Sequence, residues 1–309
     1  LSKNLGEPMK KIILIGTVIF SLLAPPGASA EMVGALMPAK NVPYFMSVHE
    51  ALVKELQALG TGAEVVLQKP APSEMAWKNA TRKLVVLGAK VIVAYGSETA
   101  LAIVTENANV PVVYTAAYDP TECGITGKVT GMEATIPMEG LLDNLKKISN
   151  FSKLGIMYSS DEIGSVKQME AAAALALKMG SDVIKIDTRD PGAAKLSDAD
   201  AVLFTSAASV NNKSSLESFL DTTRAKKIAT ASVLCATCQN GVLISLSANP
   251  EQQGKGAAQM VAEILKGKSP NAIPPNKNPQ VETTVNLKEA KDLGFSIPFE
   301  LLGTAKVVK

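Results

Sequence analysis

From residue 32 onward, short runs rich in Val, Ile, Leu and Ala alternate with longer stretches in which apolar residues recur every three or four positions. The short runs predict strands over 32–37, 63–68, 90–95 and 110–114, and the longer ones predict helices over 45–59, 73–87 and 97–107. In the first of these helices Val48, Leu52, Leu56 and Leu59 fall on one side. A second series repeats the theme, with strands over 153–158, 182–186, 201–205, 227–231 and 242–246 and helices over 162–179, 212–224 and 250–266. Strands alternating with helices of this length predict an α/β fold with parallel sheets covered by helices on both faces. Two series predict two Rossmann-like (flavodoxin-like) lobes joined by a hinge. Residues 131–135 read as a first crossing between lobes. The proline-rich stretch 267–280 reads as an extended linker back to the first. The expected division is lobe 1 over 31–132 plus 272–309, and lobe 2 over 133–271. Asn286 is expected to cap a short helix ending at Gly294, and Pro298 to start another.

Residues 9–30 follow a different pattern. Lys10 and Lys11 precede an apolar stretch from Ile12 to Ala24, and Ala28-Ser29-Ala30 offers small residues before Glu31. This is the layout of a secretory signal peptide starting at Met9 and cleaved after Ala30. The apolar run falls short of the roughly 20 residues needed to span a bilayer, and Pro25-Pro26-Gly27 breaks it. No Cys lies near the cleavage site, so no lipid anchor is expected, and the mature chain is expected in the periplasm. Residues 1–8 have no evident role.

The full chain carries 31 Lys+Arg against 29 Asp+Glu, and the leader holds Lys3, Lys10 and Lys11 against Glu7, so the mature chain balances. That balance gives no support to nucleic-acid binding or to attraction toward anionic lipid. Of the three cysteines, Cys235 and Cys238 are spaced to close a small disulfide in an oxidising compartment, to act as a redox pair, or to remain two quiet thiols. The redox reading needs a helix N-terminus to lower a thiol pKa, whereas Gln239-Asn240-Gly241 reads as a turn. A metal site is not expected, because His49 is the one histidine and the Cys pair has no second ligand pair. Gly254-Lys255-Gly256 lacks the spacing and the Ser/Thr of a phosphate loop. No catalytic constellation and no cofactor are expected.

In open parallel sheets ligands bind beyond the carboxyl ends of the strands. The five tyrosines, Tyr44, Tyr95, Tyr114, Tyr118 and Tyr158, all fall at such ends or in the loops that follow. Tyr44 and Tyr118 are the candidates to face a ligand; the alternative is packing with hydroxyls in water. Gly96-Ser97-Glu98 follows a strand and opens a helix, where free backbone N–H groups favour an anion. Asp161-Glu162-Ile163-Gly164-Ser165 occupies the matching position in the second lobe, with Ser206 beyond the strand over 201–205. Either Ser97 or Ser165 could equally be a plain helix cap. Asp119, before Pro120, could accept from a ligand ammonium or form an Asx-turn.

The chain from 31 onward resembles the ABC-transporter substrate-binding proteins of the tryptophan/tyrosine type, with a type I periplasmic binding protein fold. Its most specific matching segment runs from Val285-Asn286-Leu287-Lys288-Glu289-Ala290-Lys291 through Leu293-Gly294 to Ile297-Pro298. Val91 to Ser97, Pro111 to Tyr114, Asp119-Pro120, Thr130-Gly131 and Ile264 to Gly267 resemble further elements. The sequence departs from the family pattern in four places. Glu98 stands where Pro often follows, Gly164-Ser165 replaces Asn-Ser, Asn249 replaces Asp, and Cys235-Ala236-Thr237-Cys238 replaces an acidic loop. The resemblance implies capture of a small solute, such as an aromatic amino acid, between closing lobes by a monomer, and delivery to an ABC permease in the inner membrane. A ligand-binding partner of a periplasmic sensor, or a periplasmic thiol-redox protein, are the alternatives. The expected ligand-binding set is Tyr44, Gly96, Ser97, Glu98, Tyr118, Asp119, Ser165, Ser206 and Asn249.

Overall fold

The computed structural model describes residues 30–190 and 193–309; residues 1–29, on which the expected leader falls, lie outside the described residues. The chain first lays down β1 (Met32–Leu36), α1 (Pro43–Ala58), β2 (Glu64–Gln68), α2 (Glu74–Val86), β3 (Val91–Tyr95), α3 (Ser97–Thr105), β4 (Val112–Ala117) and β5 (Val129–Glu133). These strands form an all-parallel sheet in the order β2-β1-β3-β4-β5. Its central strands are buried on both faces, which explains why they read as unbroken apolar runs rather than alternating ones. Val33 and Ala35 of β1 face Val48, Leu52 and Leu56 of α1, whereas Leu36, Ile92 and Ala94 face Trp77 and Leu84 of α2 and Ile103 of α3.

The second sheet begins after α4 (Met138–Ser149), with β6 (Lys153–Tyr158), α5 (Ile163–Lys178), β7 (Asp182–Asp187), β8 (Ala201–Phe204), α6 (Ala208–Asn211), α7 (Lys213–Ala225), β9 (Ala229–Ser232) and β10 (Ile244–Ala248). Leu154 and Ile156 of β6 pack in one cluster with Leu141 and Leu145 of α4 and Ala172 of α5. Met157 and Phe204 pack on the other side with Leu216 and Leu220 of α7. The chain then forms α8 (Pro250–Leu265), β11 (Val281–Asn286), α9 (Leu287–Leu293), α10 (Phe299–Leu302) and β12 (Lys306–Val308). Every strand and long helix expected from periodicity is present, whereas α4, β5, the short α6, β11 and β12 were not anticipated.

The expected lobe boundaries need correction near the C-terminus. α8 packs against α1 of the first lobe, so closely that a Cβ on Gly254 would collide with the Val48 carbonyl and the Leu52 N–H. β11 pairs antiparallel with β10, and β12 joins its far edge, giving a seven-stranded second sheet in the order β12-β11-β10-β9-β8-β6-β7. The chain therefore returns to lobe 1 at Asn249, and the proline-rich stretch leads back out to lobe 2. An amphipathic stripe such as that of α8 announces that it will be buried, but not against which sheet.

Three strand-like crossings thus join the lobes, and they are bonded to one another. Met132 bridges Asn276, with Glu133 N–H donating to the Asn276 carbonyl (2.9 Å) and Asn276 N–H to the Gly131 carbonyl (2.9 Å). Asn249 N–H donates to the Gln280 carbonyl at 2.7 Å. No helix among the described residues is long and apolar enough to cross a membrane.

Candidate functional site

The carboxyl ends of both sheets face one seam. On the lobe 1 side β3 ends at Gly96, whose φ of +85° suits glycine, and α3 starts at Ser97. A Cβ at Gly96 would also strike the Glu98 carboxyl, which folds back over the start of its own helix. Ser97 is buried and its Oγ donates to the Tyr118 carbonyl at 2.8 Å. On the lobe 2 side α5 begins beside Ser97: a Cβ at Gly164 would lie 3.1 Å from Ser97 Oγ and 3.4 Å from Glu98 Oε2.

The seam is rich in buried polar groups. Glu98 is 6 % exposed and Glu162, which precedes α5, is 1 % exposed. Glu162 accepts from the backbone N–H of Ala208 at 2.7 Å and from Ser209 N–H and Oγ at 3.4 Å. Burial, reinforced by the Glu162 charge, pushes the Glu98 carboxyl up to about 8, and burial pushes Glu162 up to about 7. Ser165 is consumed within its lobe, accepting from Ser159 N–H at 3.0 Å and sharing a 2.8 Å hydrogen bond with Thr205. Ser206 donates its N–H to Gln168 Oε1 at 2.7 Å. Asn211 donates to the Thr205 and Ala207 carbonyls, while its buried Oδ1 has no partner.

Other expected residues serve the framework. Tyr44 is buried, and its hydroxyl donates to the Ala248 carbonyl at 3.0 Å, tying the start of α1 to the second crossing. Tyr118 is buried between Ser97 and Cys123, both of which donate to its carbonyl. Asp119 adopts the Asx-turn alternative: its Oδ1 accepts from Glu122 N–H at 3.1 Å, and its φ is +37°. Asn249 caps α8 by accepting from Gln252 N–H and donates to Glu282 Oε2 at 2.7 Å. Cys235 and Cys238 are free thiols rather than a disulfide; Cys238 donates toward Ser245 Oγ, and burial pushes its thiol up to about 12 and that of Cys235 to about 11. Both values oppose the redox reading, which requires a lowered thiol.

Two residues were absent from the expected ligand-binding set. Glu162 was hidden by its place just before a helix, where an acid is ordinary. Gln253, on α8, was missed because its partners are remote: it accepts from Ala116 N–H at 2.8 Å and donates to the Glu133 carbonyl at 2.8 Å, filling the irregularity where β4 shifts register against β5. The seam also encloses two cavities. One of about 290 Å³ lies between Lys40 and Pro70–Pro72 on lobe 1 and Ala208 and Asn212 on lobe 2. The other, about 130 Å³, lies between Trp77, Glu98 and Leu101 on lobe 1 and Asp161 and Ile163 on lobe 2.

This architecture recurs in known proteins. An ABC domain in complex with L-Trp from Streptococcus pneumonia superposes with a TM-score of 0.83 at 21 % identity, covering 91 % of this chain and 100 % of that one. The ligand-free, open structure of a substrate binding protein with adhesive properties from Clostridium difficile gives 0.64 at 20 % identity, covering 91 % and 99 %. A tyrosine-binding protein from Clostridioides difficile is 23 % identical over 215 residues, covering 66 % of this chain; the match spans 62 % of that relative's length. The family model for ABC transporter substrate binding protein matches residues 64–309. The fold is that of the type I periplasmic binding proteins, and the chain belongs to the ABC transporter substrate binding protein family.

Proposed function

We propose that this protein captures a small solute of the aromatic amino-acid kind between its two lobes and hands it to an ABC permease in the inner membrane, working in the periplasm as a monomer after loss of its leader. One observation carries the reading: the starts of α3 and α5, from different lobes, meet at Ser97 and Gly164 beyond the carboxyl ends of both sheets. A solute held there touches both lobes and so favours the closed arrangement over the open one. The bonded crossings leave only a few residues to absorb the motion, as hinge closure requires. The Trp complex and the tyrosine-binding relative support an aromatic solute. Ser97 and Ser206 are the expected contacts from the seam walls. No step of bond making or breaking is assigned to any residue.

Native mass spectrometry of the purified protein, followed by denaturation, identifies what it carries. A released small molecule that compacts the emptied protein in X-ray scattering supports the reading. A protein whose dimensions ignore its own released fraction and a panel of amino acids and amines overturns it.

A further inference from the structure

Among the described residues, the seam holds more acceptors than the protein satisfies and two buried carboxyls that no cation meets. Glu98 lines the cavity of about 130 Å³ and is more than nine-tenths buried, and its carboxyl folds back to accept from its own backbone N–H. Glu162, buried in the facing lobe, has backbone partners but no cation. The basic side chains nearby are already engaged, Lys167 with Glu170 and Arg189 with Asp161. Asn211 Oδ1, 2 % exposed at the residue level, is an acceptor without a partner, and it lines the seam opposite Val42 and Tyr44. Buried acceptors of this kind are costly unless a donor arrives, and a buried carboxylate calls for a cation.

A carboxylate on the solute would meet the opposite of what it needs. The start of α3, which would otherwise attract it, is covered by the Glu98 carboxyl, and the same carboxyl stands against the first turn of α5 at Gly164. The N–H groups of Ala208 and Ser209 are taken by Glu162. The walls that complete the cavity combine apolar Trp77, Leu101, Ala102 and Ile163 with Glu74, Thr105 and Asp161, and none of them is basic. We infer that the solute is a cationic amine that lacks a carboxylate, its ammonium seated against Glu98 with Glu162 close enough to add its charge. This inference rests on the solute-binding reading above and narrows its solute from an aromatic amino acid to the corresponding amine without the carboxylate.

Matched probes decide it: tyramine, L-tyrosine and 3-(4-hydroxyphenyl)propanoate share one aromatic body and differ in their charged ends. Trp77 is the chain's single tryptophan and lines the cavity, so its emission reports occupancy beside calorimetry. Tyramine is expected to bind at least about 30-fold more tightly than the propanoate, and Glu98→Gln to weaken tyramine by a similar factor. Glu162→Gln provides a second test should Glu98→Gln fold poorly. Equal or tighter binding of the propanoate, undiminished tyramine affinity in Glu98→Gln, or no tyramine binding overturns the inference. A carboxylate-bearing solute released from the purified protein also overturns it, while leaving the solute-binding reading in place. That reading fails separately, if no solute alters the protein's dimensions.

Discussion

Ser97 at the start of α3 and Gly164 in the first turn of α5 are neighbours across the lobe seam, so close that one methyl group added at Gly164 would sit 3.1 Å from Ser97 Oγ. Closure is therefore expected to depend on the missing side chain at residue 164. Gly164→Val should leave each lobe folded and hold the seam ajar, weakening solute binding by about tenfold or more, since overpacking costs roughly 1–3 kcal/mol. X-ray scattering with and without solute checks this. Normal compaction in the variant would mean that the seam yields at no cost.

The paired acids make closure sensitive to pH. Burial raises Glu98 to about 8 and Glu162 to about 7 from the usual 4.5, so the closed form binds more protons than an open form whose carboxyls meet water. The closed form should accordingly be favoured in acid and lose stability as pH rises from about 4.5, levelling off above about 8, by up to about 1.4 kcal/mol per pH unit for each proton difference. Asp161 and Asp119 add negative charge nearby, Lys167 opposes it, and the raised Cys123 thiol stays neutral over this range. Hydrogen exchange at the seam, measured without solute at pH 5.5 and 8.5, should show faster opening at the higher pH. Glu98→Gln should flatten that difference; a profile unchanged by it would refute the linkage.

Gly254 is expected to be intolerant of any side chain, because α8 crosses α1 there with its backbone against Val48 and Leu52. Gly254→Ala should cost about 1–3 kcal/mol in urea unfolding, against the roughly 1 kcal/mol gained when alanine replaces glycine on an open helix face. An unchanged midpoint would show that the two helices can separate freely.

Tyr44→Phe removes the hydroxyl that reaches the Ala248 carbonyl while keeping the ring. A loss of about 0.5–1.5 kcal/mol in stability is expected. Because Ala248 immediately precedes the crossing at Asn249, the variant should also open more often, read as faster hydrogen exchange at the crossings than in lobe interiors. A uniform change across the molecule would mean that the bond serves stability alone.

The three cysteines should be slow to alkylate at pH 7. Burial raises Cys123 and Cys235 to about 11 and Cys238 to about 12, leaving a thiolate fraction on the order of 10⁻⁴ or less. Intact mass after iodoacetamide treatment should show little labelling in the folded protein and three labels after denaturation. Fast labelling of Cys235 in the folded state would revive a redox role.

Much of the fold is written in local pattern. The buried strands β1, β3 and β4 had to be apolar on both faces, and the glycines and caps that punctuate the helices act within a few residues. Asn286 illustrates how local such signals are: its side chain caps α9 by accepting from Glu289 N–H at 2.8 Å. Its amide also donates to the Cys238 carbonyl and Glu289 holds Arg224, so the most recognisable segment of the chain marks the family through a structural joint in lobe 2. The sequence placed Gly96, Ser97 and Glu98 at a strand end facing a partner lobe, because strand-to-helix order fixes where loops emerge.

Only tertiary structure decided what those residues face. Whether α8 covers lobe 1 or lobe 2, whether Asp119 meets a ligand or its own turn, and whether Tyr44 lines a cleft or ties a crossing all depend on groups far away in sequence. The expected anion seat at Ser97 is covered by the neighbouring Glu98, and the charge of Glu98 is set by its burial in the seam, reinforced by Glu162 in the other lobe. Periodicity specifies which side of an element is buried, since that follows from the geometry of one helix or strand. It does not specify the partner, because burial energy is non-directional and accepts any apolar surface, whereas hydrogen bonds and buried charges take their meaning from the particular atoms that folding brings within a few ångströms.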